Sequence, residues 1–177
     1  MTEADSCLVL RLAGPLQSWG TSSRHNRRTT AGEPTKSGVV GLLAAAQGRP
    51  RTDPVDDLAG LRFAVRIDQP GQLRRDFHTA SRYDGKPLPS TEVNGKGEQK
   101  STKYLTRVTE RFYLEEAVFV AALAGAASLM ETLADAVRQP ASPLALGRRA
   151  CVPTQPLLLP APDGWLFDDE PSGPSLI

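Results

Sequence analysis

The chain has 177 residues and a formal net charge of +1, which is long enough to bury one real core and too balanced to name a partner by itself. Two cysteines, Cys7 and Cys151, and two histidines, His25 and His78, are too few for a disulfide framework or a histidine-rich metal site, so no metal and no cofactor are expected. The apolar runs "VVGLLAAA" and "AVFVAALAGAA" fall short of the roughly 20 residues that span a bilayer, and Glu3 and Asp5 stand where a secretory leader is basic; a cytoplasmic protein is expected.

In chain order, "CLVLRLAG" alternates Leu8, Leu10 and Leu12 around β-branched Val9, which predicts a buried first strand ended by Gly14 and Pro15. The long connection that follows, "PLQSWGTSSRHNRRTTAGEPT", has no helical period. Loops of this length inside compact domains are uncommon unless they serve a purpose. A helix is predicted from about Lys36 to Gln47, with Gly48 as its stop. Its start, "EPTKSGVV", resembles half of a phosphate-binding loop. The glycines of G-x-x-x-x-G-K-[ST] are threonines here, and Pro34 removes a backbone donor, which argues against an NTPase. What survives is an anion-receptive helix start beside Lys36 and Ser37, with a plain Thr35 N-cap as the alternative.

"LRFAVRIDQ" predicts a second strand, with Phe63, Val65 and Ile67 on one face and Arg62, Ala64, Arg66 and Asp68 on the other. From Pro70 to Thr102 the apolar content collapses between "RRDFHT" and "KYLTRVTERFYL", which predicts a hairpin excursion with pairing stems. Ala117 to Gly125 reads as a strand. Ser128 to Gln139 reads as a helix with Leu129, Leu133, Ala136 and Val137 on one face, and "LALGRRACVPTQPLLL" can supply a last strand. The pattern is β-α-β-β-α-β, an α+β ferredoxin-like domain over residues 1–160 with the hairpin inserted at about 72–111. Helices are expected on one face of its antiparallel sheet, and the other face is left free to bind. Residues 161–177 form a Pro-rich, acidic tail with Trp165 and Phe167 as its only anchors.

Charge is unevenly placed. Residues 11–51 hold seven Lys/Arg against one acid and residues 66–111 hold ten against six, whereas 112–177 hold three against eight. One face is therefore expected to meet a polyanion.

Four stretches, "LVLRLAGPLQSWG", "PTKSGVVGLLAAA", "RRDFHT" and "LGRRACVPTQPLLLP", resemble in order and spacing the CasD family of type I-E CRISPR Cascade subunits, within the repeat-associated mysterious protein superfamily. The resemblance covers residues 8 to 160; relatives usually continue further past the LGRR region. It implies a ferredoxin-like fold and a non-catalytic role in antiviral defence: capping the 5′ handle of the CRISPR RNA, with the hairpin acting as a thumb that kinks the RNA. It also implies docking to the backbone subunit CasC and the large subunit CasA, and target DNA met only through the complex.

A single-stranded handle calls for phosphate neutralisation plus stacking and edge contacts on splayed bases. Arg24, Arg27 and Arg28 on the first loop, with Lys36 and Ser37 at the helix start, are candidates for phosphate contacts. Trp19 is a candidate for base stacking, with a core plug as the alternative. Arg148 and Arg149 follow Gly147, a residue that permits close backbone approach, and one of the pair is expected to touch RNA. Arg74, Arg75, Lys103 and Arg107 lie on the hairpin stems, with a solvated face as their alternative. His78 is a packing or base-contacting candidate. A metal-independent endoribonuclease, drawing on His78, Tyr83 and Lys86, is the second reading, and catalytic groups at the root of an excursion argue against it.

Overall fold

The computed structural model describes residues 5–21, 26–80 and 107–160. The fold is mixed α+β, dominated by two sheets. Strand β1 (Asp5–Ala13) lies between β7 (Val118–Ala126) and the two-residue β8 (Leu158–Leu159), and β4 (Arg62–Gln69) lies outside β7. Every pairing in this first sheet, ordered β4-β7-β1-β8, is antiparallel.

Two-residue periodicity explains the core. Leu8, Leu10 and Leu12 share one face with Phe119, Ala121 and Leu123, and all are buried. Helix α1 (Lys36–Ala46) joins this core through Val39, Val40, Leu42, Leu43 and Ala46, and α3 (Ala127–Arg138) through Met130, Leu133 and Val137. Met130, which the expected helical face omitted, is thus a core residue. A short helix, α2 (Asp56–Ala59), buries Leu58 beneath the connection to β4. Helix α1 begins at the Thr35 N-cap, whose hydroxyl accepts from the Gly38 N–H at 3.2 Å. It ends with Gly48 N–H donating to Ala45 O and Arg49 N–H to Ala44 O, the paired bonds of a Schellman ending.

The second sheet grows out of the first. Strands β4 and β7 are paired up to Gln69 and Val118; pairing resumes at Gln72 and Glu115 between β5 (Gln72–Ala80) and β6 (Arg107–Glu115). The break sits at Gly71, φ 71°, where a Cβ would lie 2.5 Å from Glu115 O, and at Glu116, φ 57°. One long ribbon therefore bends from the core sheet into a hairpin stem. The other edge of β6 takes β2 (Leu16–Gln17), antiparallel, and β3 (Arg27–Arg28), parallel.

The joint between the sheets is pinned by the buried Gln17. Its amide donates to Leu12 O at 2.9 Å and Ala117 O at 2.7 Å, and its carbonyl accepts from Trp19 Nε1 at 3.1 Å. Such a fully satisfied buried amide fixes one arrangement of its neighbours. The stretch "PLQSWG" is accordingly a structural knot inside the long connection, held further by Trp19 N–H to Thr30 Oγ1 and Ala31 N–H to Trp19 O. The expected stem pairing is present. The tip of the excursion, residues 81–106, and the tail with Trp165 and Phe167 lie outside the described residues.

Candidate nucleic-acid interface

The first sheet does not offer the open platform that the sequence suggested. Opposite the helices it presents Val9, Val120, Ala122 and Ala124, all buried, in register with Arg11, Arg62, Ala64 and Arg66. It carries no aromatic ring in these positions, and its cations are partly committed: Arg62 pairs with Asp5 at 2.7 Å and Arg66 with Asp68 at 2.7 Å. The hydrogen-bonded Arg66 guanidinium holds the Asp68 carboxyl below its ordinary range. A cavity of about 380 Å³ between β1, α3 and β8, lined by Cys7, Met130, Glu131 and Arg138 among others, lies toward the opposite end of β1 from the hairpin stem. Burial raises the pKa of both thiols, Cys7 and Cys151, which leaves them poor nucleophiles.

Cationic groups concentrate on the second sheet. Strands β3, β5 and β6 together carry six arginines against three acids. Arg74 pairs with Glu115 at 3.0 Å and Arg75 with Glu110 at 3.4 Å, and both guanidinium groups are mostly exposed. Exposed pairs of this kind contribute at most about 1 kcal/mol, so a phosphate can displace the carboxylate partners. Arg28 lies in register beside Arg111, whose Nε donates to Thr109 Oγ1 at 3.4 Å. His78 bridges the stem: its Nε2 lies 3.1 Å from Asp76 Oδ2 and 3.5 Å from the Tyr113 hydroxyl.

The adjacent pair after Gly147 is divided in role. Arg148 donates to Phe112 O at 3.0 Å, Arg28 O at 2.8 Å and Thr29 O at 3.3 Å, and its guanidinium lies 4.8 Å from the Tyr113 ring centroid. Three of its five N–H donors tie β3 and the residue after it to β6. Arg149 is exposed and is the member of the pair open to a ligand. Gly147, φ 87°, packs against the Ser18 carbonyl, with which a Cβ would overlap. Its close approach is thus to the protein's own backbone.

Other expected residues divide in the same way. Trp19 is fully buried against Gly38 of α1, so its ring has no face open to a base, and the core-plug alternative describes it. The start of α1 is closed by Thr35, with Lys36 half-buried and Ser37 exposed, and among the described residues no contact joins either to the arginines of the second sheet. Arg27 stacks its guanidinium 4.9 Å from the Phe112 centroid. Arg107 is the first residue of β6, in register with Ala80. Arg24, Lys103, Tyr83 and Lys86 lie outside the described residues. Arg111, Phe112, Tyr113 and Phe77 were missed. The available signal was strand alternation within "RRDFHT" and "TERFYL", which places Arg111 and Tyr113 on one face and Phe112 on the other.

Comparison with known proteins bears on this geometry. Residues 7–169 match a family model described as CRISPR-associated protein (Cas_Cas5). The CRISPR system Cascade subunit CasD of Escherichia coli (strain K12) is 35% identical over 189 residues, covering 95% of this chain and 79% of that protein. Among solved structures, a chain of a CRISPR RNA-guided surveillance complex superposes with TM-score 0.72 at 44% identity, over 86% of this chain and 62% of its own. A structure described as a Cas protein gives TM-score 0.64 at 41% identity, over 92% of this chain and 66% of its own. The chain thus spans just under two thirds of each of these two solved relatives. It belongs to the Cas5 family of CRISPR-associated proteins.

Proposed function

We propose that the chain is the non-catalytic CRISPR RNA-binding subunit of a type I-E Cascade surveillance complex, capping the 5′ handle and docking to the backbone subunit CasC and the large subunit CasA. The observation that carries this reading is the cationic second sheet, in which exposed arginines on β3 and β5 and the half-buried Arg111 on β6 line a stem that continues the core ribbon. Likeness to a Cascade subunit and to a chain of an RNA-guided surveillance complex supports it. The order β4-β7-β1-β8, with both long helices feeding one core, supports a ferredoxin-like assignment for the first sheet. In this reading the β5–β6 hairpin is the thumb, and Arg27, Arg28, Arg74, Arg75, Arg111 and Arg149 meet phosphates.

The contact of His78 with Tyr113 and Asp76 is the one observation that favours the second reading, a metal-independent endoribonuclease. The burial of Tyr113 speaks against it, because a catalytic hydroxyl must reach the scissile phosphate. Incubation of the purified chain with repeat-derived RNA in EDTA separates the two. The structural reading expects RNA that is retarded on a native gel and intact on a denaturing one. Specific cleavage that disappears in His78→Ala would instead make the protein a nuclease.

A further inference from the structure

The two faces of the hairpin stem differ in chemistry. One carries Arg74, Asp76 and His78 opposite Tyr113, Arg111 and Thr109; the other carries Leu73, Arg75, Phe77 and Thr79 opposite Leu114, Phe112, Glu110 and Val108. On this second face Leu73, Phe77 and Val108 are 67%, 70% and 52% exposed. Scattered exposed apolar residues need no explanation, but three on one narrow stem face, one of them aromatic, indicate a contact surface.

The surroundings select the contact. Phe112, on the same face, already has its ring covered by the Arg27 guanidinium, whereas Phe77 has an open ring. Arg75, two residues before Phe77 on the same strand, is held among the described residues only by a 3.4 Å pair with Glu110. An open ring beside a weakly held guanidinium, on a sheet where arginines outnumber acids two to one, suits an occupant that has a flat π-face and carries negative charge. An unpaired nucleotide has both, whereas an apolar protein side chain leaves the arginines without partners. We infer that Phe77 is a stacking platform for one unpaired base of single-stranded RNA, with Arg75 on a neighbouring phosphate. The inference rests on the RNA-binding reading above and adds to it the residue that holds a base rather than the backbone.

The test uses the full chain and repeat-derived RNA oligonucleotides that carry 2-aminopurine at successive positions. At one position the wild-type protein quenches the fluorescence strongly. Phe77→Leu, which keeps apolar area but has no ring, abolishes that quenching and weakens binding roughly 5- to 100-fold, the cost of one lost base stack. Phe77→Tyr retains both, and all three proteins share one unfolding midpoint. Persistent quenching and affinity in Phe77→Leu overturn the platform while leaving RNA binding intact. Loss of association with the other complex subunits, with RNA quenching unchanged, assigns the face to a protein partner instead. Absence of RNA binding by the wild-type chain at low salt, alone and with the backbone subunit, overturns the underlying reading as well.

Discussion

Gly147→Ala lowers the unfolding midpoint by roughly 10 °C. Two costs combine. A side chain at φ 87° is strained, and its Cβ collides with the Ser18 carbonyl, an atom fixed by the chain on both sides. Relief requires the 146–149 loop to lift, which breaks the Ser18 N–H to Leu146 O bond at 3.0 Å and disturbs the neighbouring Trp19 knot. Together these costs amount to about 3–5 kcal/mol. Gly41→Ala is the matched control, since a Cβ there meets nothing within 4 Å and the position is interior to α1. That variant keeps or slightly raises the midpoint, by about 0.5–1 kcal/mol of stability. Equal midpoints for Gly147→Ala and wild type in thermal unfolding would show that the loop is not packed as described.

Arg148→Ala costs about 2–4 kcal/mol of stability, and Arg149→Ala costs none that is measurable. Arg148 serves the carbonyls of Phe112, Arg28 and Thr29 with one planar fork, and its loss leaves them without a charged donor. Arg148→Lys does not rescue, because an ammonium at the end of a flexible stem lacks the guanidinium's fixed fork to two strands. The consequence for function is indirect. With Arg148 gone, β3 and the hairpin stem lose their fixed spacing, and RNA affinity falls together with the midpoint. Arg149→Ala instead weakens RNA binding at an unchanged midpoint and reduces the salt slope by about 0.7, the share of one phosphate contact on a single strand. An Arg148→Ala protein with the wild-type midpoint and the same affinity loss as Arg149→Ala would make Arg148 a direct contact.

Much of the core was legible in the sequence, and the reason is periodicity. Leu8, Leu10 and Leu12 alternate as a half-buried strand must, Leu133 and Val137 recur at helical spacing, and the sparse stretch between "RRDFHT" and "TERFYL" separates strands that do pair. The short strands β2 and β3 were not legible. Two residues carry no period, and their existence depends on β6, which lies about 80 to 100 residues further along the chain. Trp19 had two open roles for the same reason: only the approach of Gly38 decides that the ring is enclosed. Alternation allowed one of Arg148 and Arg149 to face a ligand, but the choice between them rests on carbonyls of β3 and β6. The candidate interface was therefore readable as a charge excess, and its division into clamps and free cations was not.

The central claim is that the second sheet binds RNA through its arginines. Its most direct test is the affinity of the full chain for repeat-derived handle RNA, measured by fluorescence anisotropy across a salt series, alone and with the backbone subunit. The account predicts a log–log slope of about −3 to −4, from four to six neutralised phosphates. In an Arg74→Ala, Arg75→Ala, Arg111→Ala variant with an unchanged unfolding midpoint, the slope becomes shallower by about 2. A slope near zero, or a triple variant that binds as tightly as wild type, would contradict it.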